Sequence, residues 1–568
     1  MNTQNQFDAI VIGSGMGGIT AAAYLAAAGK KTLLLEQYVV LGGCSHVFRR
    51  KNKWEFEVGM HYMEDCGRED AIVPSILHGL GIDDKIEFLP LDKDGFDTIV
   101  YPDKTLRVPG SWDDYRSNMI TLFPKEEKAI KKFIGILETI GSALDRSRTP
   151  GSAKGYLQLV KDAGIDVVWA MIPVSTVIDY CGLSHQAKAM LTPQSGAYAC
   201  VTSKAPIAIH AGMLHGFITG RAWYPKGGGQ VFSAHMADVI KTHGSEIKLG
   251  TGVKKIIVEG GSVKGVETTD GEKFYAPVVV SNADIKRTYL DMIDPEHLSF
   301  LTINRIKNYK MTNPFLNVYL GVELDLREDT PNTNYYSCPT WLGPDKTFQK
   351  LESLKDNRTA FIKEAMNILP AYVHCSNTKD PSNTRYAPEG FSAIEVMTLL
   401  PPSKKLWGVH DVENYRTEAE YLDTKEQLTE CMINRLTEVM PQVKGKIVFK
   451  EAATPFTQER YTWSTQGAAY GIEPNVFQFG PFRPGTKTEI KGLYLTGAST
   501  AWGPSIAGGM ISEIHAVSAI LDRDLDAEVR SGKVIADKSK LTKIKDLDAF
   551  DALRASTKKA NKAEKLLV

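Results

Sequence analysis

The sequence lacks the features that define several large protein classes. It has 7 cysteines in 568 residues and no C-x-x-C pair, which argues against a disulfide framework and a structural zinc site. A reducing, cytoplasmic setting is expected. It has no charge surplus: 67 basic residues balance 67 acidic ones. Nucleic-acid binders need a basic excess to neutralise phosphates, so that role is excluded. Residues 1–6 are polar and uncharged, unlike the basic start and apolar stretch of a signal peptide. No apolar run reaches about 18 residues, the length a spanning helix needs. No G-x-S-x-G is present to anchor a hydrolase triad. No Cys/His cluster has the spacing of zinc or haem ligands, so no metal is expected. What remains is ordinary globular composition, 43 % hydrophobic and 24 % charged, with enough apolar material for a large core. At about 150 residues per domain, the length allows three or four domains.

The strongest signal lies in the first 45 residues. Ala9-Ile10-Val11-Ile12 reads as a short buried strand, and Gly13-Ser14-Gly15-Met16-Gly17-Gly18 follows as G-x-G-x-x-G. An alanine-rich helix pattern spans 19–28. A second strand, Thr32 to Leu35, ends in Glu36, 18 positions after Gly18. This βαβ unit fits a dinucleotide. Gly13 permits the tight turn, Gly15 admits the pyrophosphate, and Gly18 lets helix and strand pack closely. The helix N-terminus offers free N–H groups and partial positive charge to phosphate. Glu36 is placed to accept from ribose hydroxyls. A second glycine pair, Gly42-Gly43, stands just beyond, before Cys44 and Ser45. A nicotinamide dinucleotide does not require it. FAD does, because its ribityl and flavin portions extend past the pyrophosphate.

Two later segments read as parts of the same domain. Residues 230–242 have helical spacing and 246–249 are strand-like. Residues 253–259, 262–268 and 273–275 form a β-meander, turned by Gly260-Gly261 and Asp270-Gly271. A buried strand covers 278–280. Such a meander is characteristic of FAD domains. Near the C-terminus, a strand ends at Gly497-Ala498, and a helix from about 510 to 521 follows Gly508-Gly509-Met510. Its N-terminal amides could stabilise a reduced flavin anion. The expected fold is α/β: a Rossmann-like FAD-binding domain, parallel sheet plus β-meander, interrupted by an α+β substrate domain. The FAD-binding parts are 1–105, 225–290 and 480–522. The substrate domain comprises 106–224 and 291–479. Within it, 126–144 reads as a helix, and the apolar stretches 165–178 and 206–219 read as core helices or tunnel walls. The tail, 523–568, holds 12 basic and 8 acidic residues, a local charge of +4. Leu541, Ile544, Leu547, Phe550 and Leu553 recur every third residue, as in an amphipathic helix that docks on the protein or on a membrane surface.

These residues resemble the phytoene desaturase, carotenoid isomerase and retinol saturase group of FAD-dependent oxidoreductases. VIGSGMGGITAAAYLAAAGKKTLLLEQ, LGGCSHVF and WEFEVGMHYM at the N-terminus carry the resemblance. So do KGGGQ at 226–230, VVVSNAD at 278–284 and TPFTQERYTWSTQGAAYG at 454–471. Desaturases carry G-G-R at the glycine pair, whereas this chain has Gly43-Cys44, which favours the retinol saturase-like branch. Many desaturases also have an acidic residue near positions 498–499, and this chain has none there. The resemblance implies FAD as cofactor and a lipophilic substrate, a retinoid- or carotenoid-like polyene or an unsaturated fatty acyl chain. The expected cofactor-binding residues are Gly13, Ser14, Gly15, Met16, Gly17, Gly18, Glu36, Gln37, Gly42, Gly43, Cys44, Ser45, Met60, Val253, Gly497, Ala498, Gly508, Gly509 and Met510.

Hydride transfer at flavin N5 is the cofactor's step; the protein supplies orientation, a dry cavity and a proton carrier. The resemblance puts His61 and Tyr62 near the flavin, and His61 would titrate near neutral pH if unperturbed. Tyr470 is the other catalytic candidate. His210 and His215, five apart, share a helical face poorly and rank below these. Glu459 and Arg460 read as a structural ion pair. Four activities stay open: saturation or desaturation of carbon–carbon double bonds, cis–trans isomerisation of a polyene, amine oxidation, and non-catalytic escort of lipidated proteins. No motif names the electron donor or acceptor.

Overall fold

The computed structural model describes residues 6–68, 70–147, 160–162, 164–501 and 503–543. Its centre is a five-stranded, all-parallel sheet. The order is Glu246–Lys248, Thr32–Leu35, Ala9–Ile12, Val279–Ser281, Leu493–Leu495. Strands from the first, middle and last parts of the chain thus lie side by side. Side-chain alternation decides what each face packs against. Ala9, Val11, Leu34 and Val280 face a helical layer that includes Met16–Ala27, Gln230–Thr242 and Ile506–Leu521. Ile10, Ile12, Leu33, Leu35 and Val279 face the meander Val253–Glu259, Ser262–Thr268, Lys273–Tyr275. Helix Met16–Ala27 is buried through Ala26, as its small apolar sequence requires. The C-terminal helix begins at Ile506, four residues before its expected start, because Ser505 caps it by accepting from Gly508 N–H at 2.8 Å.

A second, seven-stranded sheet runs Ile447–Ala453, Phe315–Val322, Ser392–Leu399, Ala371–Cys375, Asn334–Ser337, Asp97–Val100, Thr105–Val108. Asn334–Ser337 pairs in parallel with Asp97–Val100, and the other pairs are antiparallel. The expected boundary at 105 therefore falls within a hairpin whose two strands both belong to this sheet. Leu316, Val318, Leu320, Ile394 and Val396 pack under helices Arg358–Ile368 and Ala419–Val439. The intervening residues Asn317, Tyr319 and Met397 line a cavity on the opposite face.

Residues 165–178 do not form one helix. A 3₁₀ segment Gly164–Trp169 and a helix Val174–Cys181 meet at Pro173, whose ring excludes a continuous helix. The 206–219 stretch is one core helix, Ile207–Gly220, next to Glu127–Ser147. The start of the tail folds onto the parallel-sheet layer. Ile535 N–H donates to Gly79 O at 2.8 Å, and Thr542 N–H to Asp238 Oδ2 at 2.9 Å. Leu541 is buried but extended, with φ −69 and ψ 146, so no helix begins there. The remainder of that expected amphipathic helix lies outside the described residues. Among the described residues no helix is long and apolar enough to cross a membrane.

Candidate flavin and substrate cavity

Between the glycine motifs and the seven-stranded sheet lies a cavity of ≈ 680 Å³. At its inner end, the helix beginning at Met16 points its first N–H groups into it. Ile19 N–H is the first to bond back, to Gly15 O at 3.0 Å, which leaves those of Met16, Gly17 and Gly18 without an intrahelical partner. Gly18 stands behind the turn. A Cβ there would come within 1.9 Å of Gly13 O, so its expected packing role holds and it does not line the cavity.

Glu36 is fixed from two sides. Ser14 donates to its Oε2 through N–H at 2.8 Å and through Oγ at 2.6 Å, and Tyr38 N–H donates to Oε1 at 2.7 Å. Burial pushes the carboxyl above its usual range, and these donors oppose that shift. Gln37 lines the same end and donates to Tyr461 O at 2.5 Å. Gly42 N–H donates to Ser14 O at 3.2 Å, which joins the second glycine pair to the first.

Of the expected cofactor residues, Gly13, Ser14, Gly15, Met16, Gly17, Glu36, Gln37, Gly42, Gly43, Cys44, Ser45, Val253, Gly497, Ala498 and Gly509 line the cavity. Met60, Gly508 and Met510 do not. Met60 and Met510 are fully buried behind it, and the Gly508 amide is used in capping. The catalytic candidates also part. His61 and Tyr470 line the cavity. Tyr62, next in sequence to His61, points away. Its ring stacks on Phe217 with centroids 4.4 Å apart, and its hydroxyl donates to Asp97 Oδ2 at 3.2 Å. Burial pushes the Tyr470 phenol above its usual range and, with the Lys379 charge, pulls His61 down to about 3. His210 and His215 lie outside the lining; His210 meets the Tyr198 hydroxyl at 3.1 Å. None of the described residues in 106–224 lines the cavity. Phe48, Phe315, Tyr319 and Met397 form its apolar arm.

Sequence reasoning missed three contributors. Asn282 lines the cavity just after strand Val279–Ser281, and Thr496 Oγ1 donates to its Oδ1 at 3.2 Å. Arg483 is buried and holds the C-terminal loop through Ala498 O at 2.5 Å and Thr500 O at 2.7 Å. Burial pulls its guanidinium down to about 10. Glu513, fully buried, stands behind Gly17, where a Cβ would meet its Oε1 at 2.7 Å. An acid is thus present near the motif, supplied by the helix instead of positions 498–499. The expected Glu459–Arg460 pair is replaced by Glu459–Arg287 at 3.4 Å.

These parts fit a dinucleotide flavin. The unbonded amides at the start of helix Met16–Ala27 would hold phosphate, Glu36 would hold the nucleoside, and Gly42, Gly43 and Gly497 line the way to the apolar arm. Comparison with known proteins agrees. The model of the flavin containing amine oxidoreductase family matches residues 16–521. The All-trans-retinol 13,14-reductase of Danio rerio is 26% identical over 559 residues, 92% of this chain and 87% of that protein. The chloroplastic prolycopene isomerase of Arabidopsis thaliana is 26% identical over 545 residues, 91% of this chain and 83% of that protein. The cyclohexylamine oxidase structure from Brevibacterium oxydans IH-35A superposes with TM-score 0.58 at 15% identity, covering 91% of this chain and 99% of that one. The cofactor is FAD, and the protein is an FAD-dependent oxidoreductase. The chain belongs to the flavin containing amine oxidoreductase family.

Proposed function

We propose that this oxidoreductase acts on carbon–carbon double bonds of a long lipophilic molecule, a retinoid- or carotenoid-like polyene ahead of an unsaturated fatty acyl chain. The observation that carries this reading is the apolar arm of the cavity, built from Phe48, Phe315, Tyr319 and Met397. An alkene offers no polar handle, so shape and a dry wall must orient it. The activities for which the retinol reductase and prolycopene isomerase relatives are named support the same substrate class. When bound, FAD supplies hydride transfer at N5. His61 and Tyr470, both at the cavity wall, would carry the accompanying proton. Tyr62, turned toward Asp97, positions that carboxyl instead. Saturation is the leading direction. Amine oxidation is the second reading, favoured by the edge-to-face contact of Phe315 and Tyr470, centroids 6.0 Å apart, since such rings can flank a cation.

The domain division follows the two sheets, with the hairpin 97–108 assigned to the substrate part. The seven unpaired cysteines support a reducing compartment. A membrane surface fits best at helix Phe300–Asn308. Phe300 and Leu301 are 79% and 78% exposed, and Phe477 and Phe482 are 82% and 53% exposed. Arg305 ties that helix to Phe482 O at 2.8 Å. Such apolar exposure beside Arg305 and Lys307 suits an anionic interface.

The test uses the holoprotein with its flavin reduced anaerobically. A panel of polyenes and unsaturated acyl chains is offered, and flavin reoxidation and product mass are read. A gain of two hydrogens marks saturation, and an unchanged mass marks isomerisation. If no lipid reoxidises the reduced flavin and none reduces the oxidised form, the reading fails.

A further inference from the structure

Behind His61 lies a buried ionisable cluster that the proposed chemistry has not used. His374 and Glu395 face each other on neighbouring strands, and both are fully buried. The His374 ring centroid is 4.7 Å from that of His61, and its Nε2 is 3.2 Å from Glu395 Oε2. Lys379, 1% exposed, donates to Asn334 Oδ1 at 2.5 Å and to His374 Nδ1. An ammonium has only donors, so His374 Nδ1 accepts and the ring proton sits on Nε2. That proton faces Ser376 Oγ at 3.0 Å and Glu395. The His374 Nε2 hydrogen bond goes to Ser376 Oγ, and Glu395 Oε2, 3.2 Å from that nitrogen, is a buried oxygen with no hydrogen-bond partner. His61 Nδ1 has no hydrogen-bond partner. One ring nitrogen of each histidine and one Glu395 oxygen lie within 4.8 Å of one another, a gap that one water can bridge.

Three buried carboxylates, Glu57, Asp97 and Glu395, share this one ammonium. Burying all of them ionised is costly, so the cluster retains protons. Burial pulls Lys379 down to about 7 and pushes Glu395 up to about 8. Lys379 is faced by Cys375, Glu395, Asp97 and Glu57; His61 is faced by Lys379, His374 and Tyr372. After burial, it is the Lys379 charge that depresses His61. A proton leaving Lys379 removes that charge and raises the proton affinity of His61.

We propose that Lys379, His374 and Glu395 form a buried proton store that acts through His61. The inference rests on the reading of the protein as a double-bond reductase. In saturation, one carbon receives a hydride from reduced FAD and its neighbour receives a proton from His61, which takes that proton up as Lys379 loses its charge. The π bond breaks and two C–H bonds form. The flavin is oxidised by two electrons, which an external two-electron donor restores. The store reprotonates His61 and refills from solvent when product leaves. His61 is the catalytic residue; the other three do not line the cavity and are positioning residues.

Two readouts on the holoprotein test this, with flavin content and melting temperature reporting folding. The first is the imidazole ¹⁵N titration of the resting protein, with His61 identified by the signal lost in His61→Asn. Lys379→Gln, backed by Lys379→Met, is expected to raise the His61 midpoint by about one pH unit. An unchanged midpoint overturns the store. The second is the single-turnover pH profile. Glu395→Gln is expected to slow product formation at least about tenfold at unchanged substrate Kd and to displace the alkaline limb. An unchanged rate and limb also overturn it. A wild-type protein that turns over no polyene defeats the reductase reading, while the histidine titration still decides the store. A stoichiometric, chelatable divalent ion that is lost in His374→Ala overturns the store as well.

Discussion

Gly43 rests directly on Gly15: a Cβ on Gly43 would stand 2.7 Å from the Gly15 Cα, and Gly43 has φ +55. The two glycine motifs are thus one structure, with the second closing over the first. Gly43→Ala must push this contact apart in a backbone region that suits glycine. The variant is expected to bind FAD about tenfold more weakly or worse while keeping its far-ultraviolet circular dichroism. Flavin-to-protein absorbance after dialysis checks this.

The Ser14–Glu36 contact makes a separate prediction. Ser14→Ala removes the Oγ donor but leaves the N–H. A lost hydrogen bond to a buried carboxylate costs about 1.5–3 kcal/mol. The melting temperature of the variant should fall and its FAD should dissociate faster.

His210 gives a pH dependence. It is fully buried, and burial pulls it down to about 4. The unfolded chain takes up a proton near its ordinary value of about 6.5, whereas the folded chain refuses it until about 4. Stability therefore falls as pH drops from about 6.5 to 4, by up to about 3 kcal/mol from this group. Urea midpoints across that range should show a flatter slope in His210→Gln.

Phe300→Ser with Leu301→Ser tests the membrane contact. The pair is expected to abolish flotation with anionic vesicles while leaving flavin content unchanged. Equal flotation of wild type and variant places the contact elsewhere.

The sequence revealed the site where signals are local. The unit from Ala9 to Glu36 and the meander 253–275 were legible because glycine turns and side-chain periodicity sit within a few residues of each other. It did not reveal what depends on pairing between distant strands. His61 and Tyr62 are neighbours in the chain, yet one faces the cavity and the other faces Asp97. His374 meets Glu395 only because strands Ala371–Cys375 and Ser392–Leu399 pair in that register. Arg483 reaches Ala498 O across a loop with no periodic signature. The expected boundary at 105 cuts the 97–108 hairpin, whose parallel partner, Asn334–Ser337, comes more than two hundred residues later.

The most direct test of the account compares substrate classes on one preparation. Oxidised holoprotein is mixed with amines, reduced holoprotein is mixed anaerobically with polyenes, and the flavin spectrum is followed in both. The account predicts polyene-dependent reoxidation and no bleaching by amines. Flavin bleached by an amine, with hydrogen peroxide released in air and no response to any polyene, would contradict it.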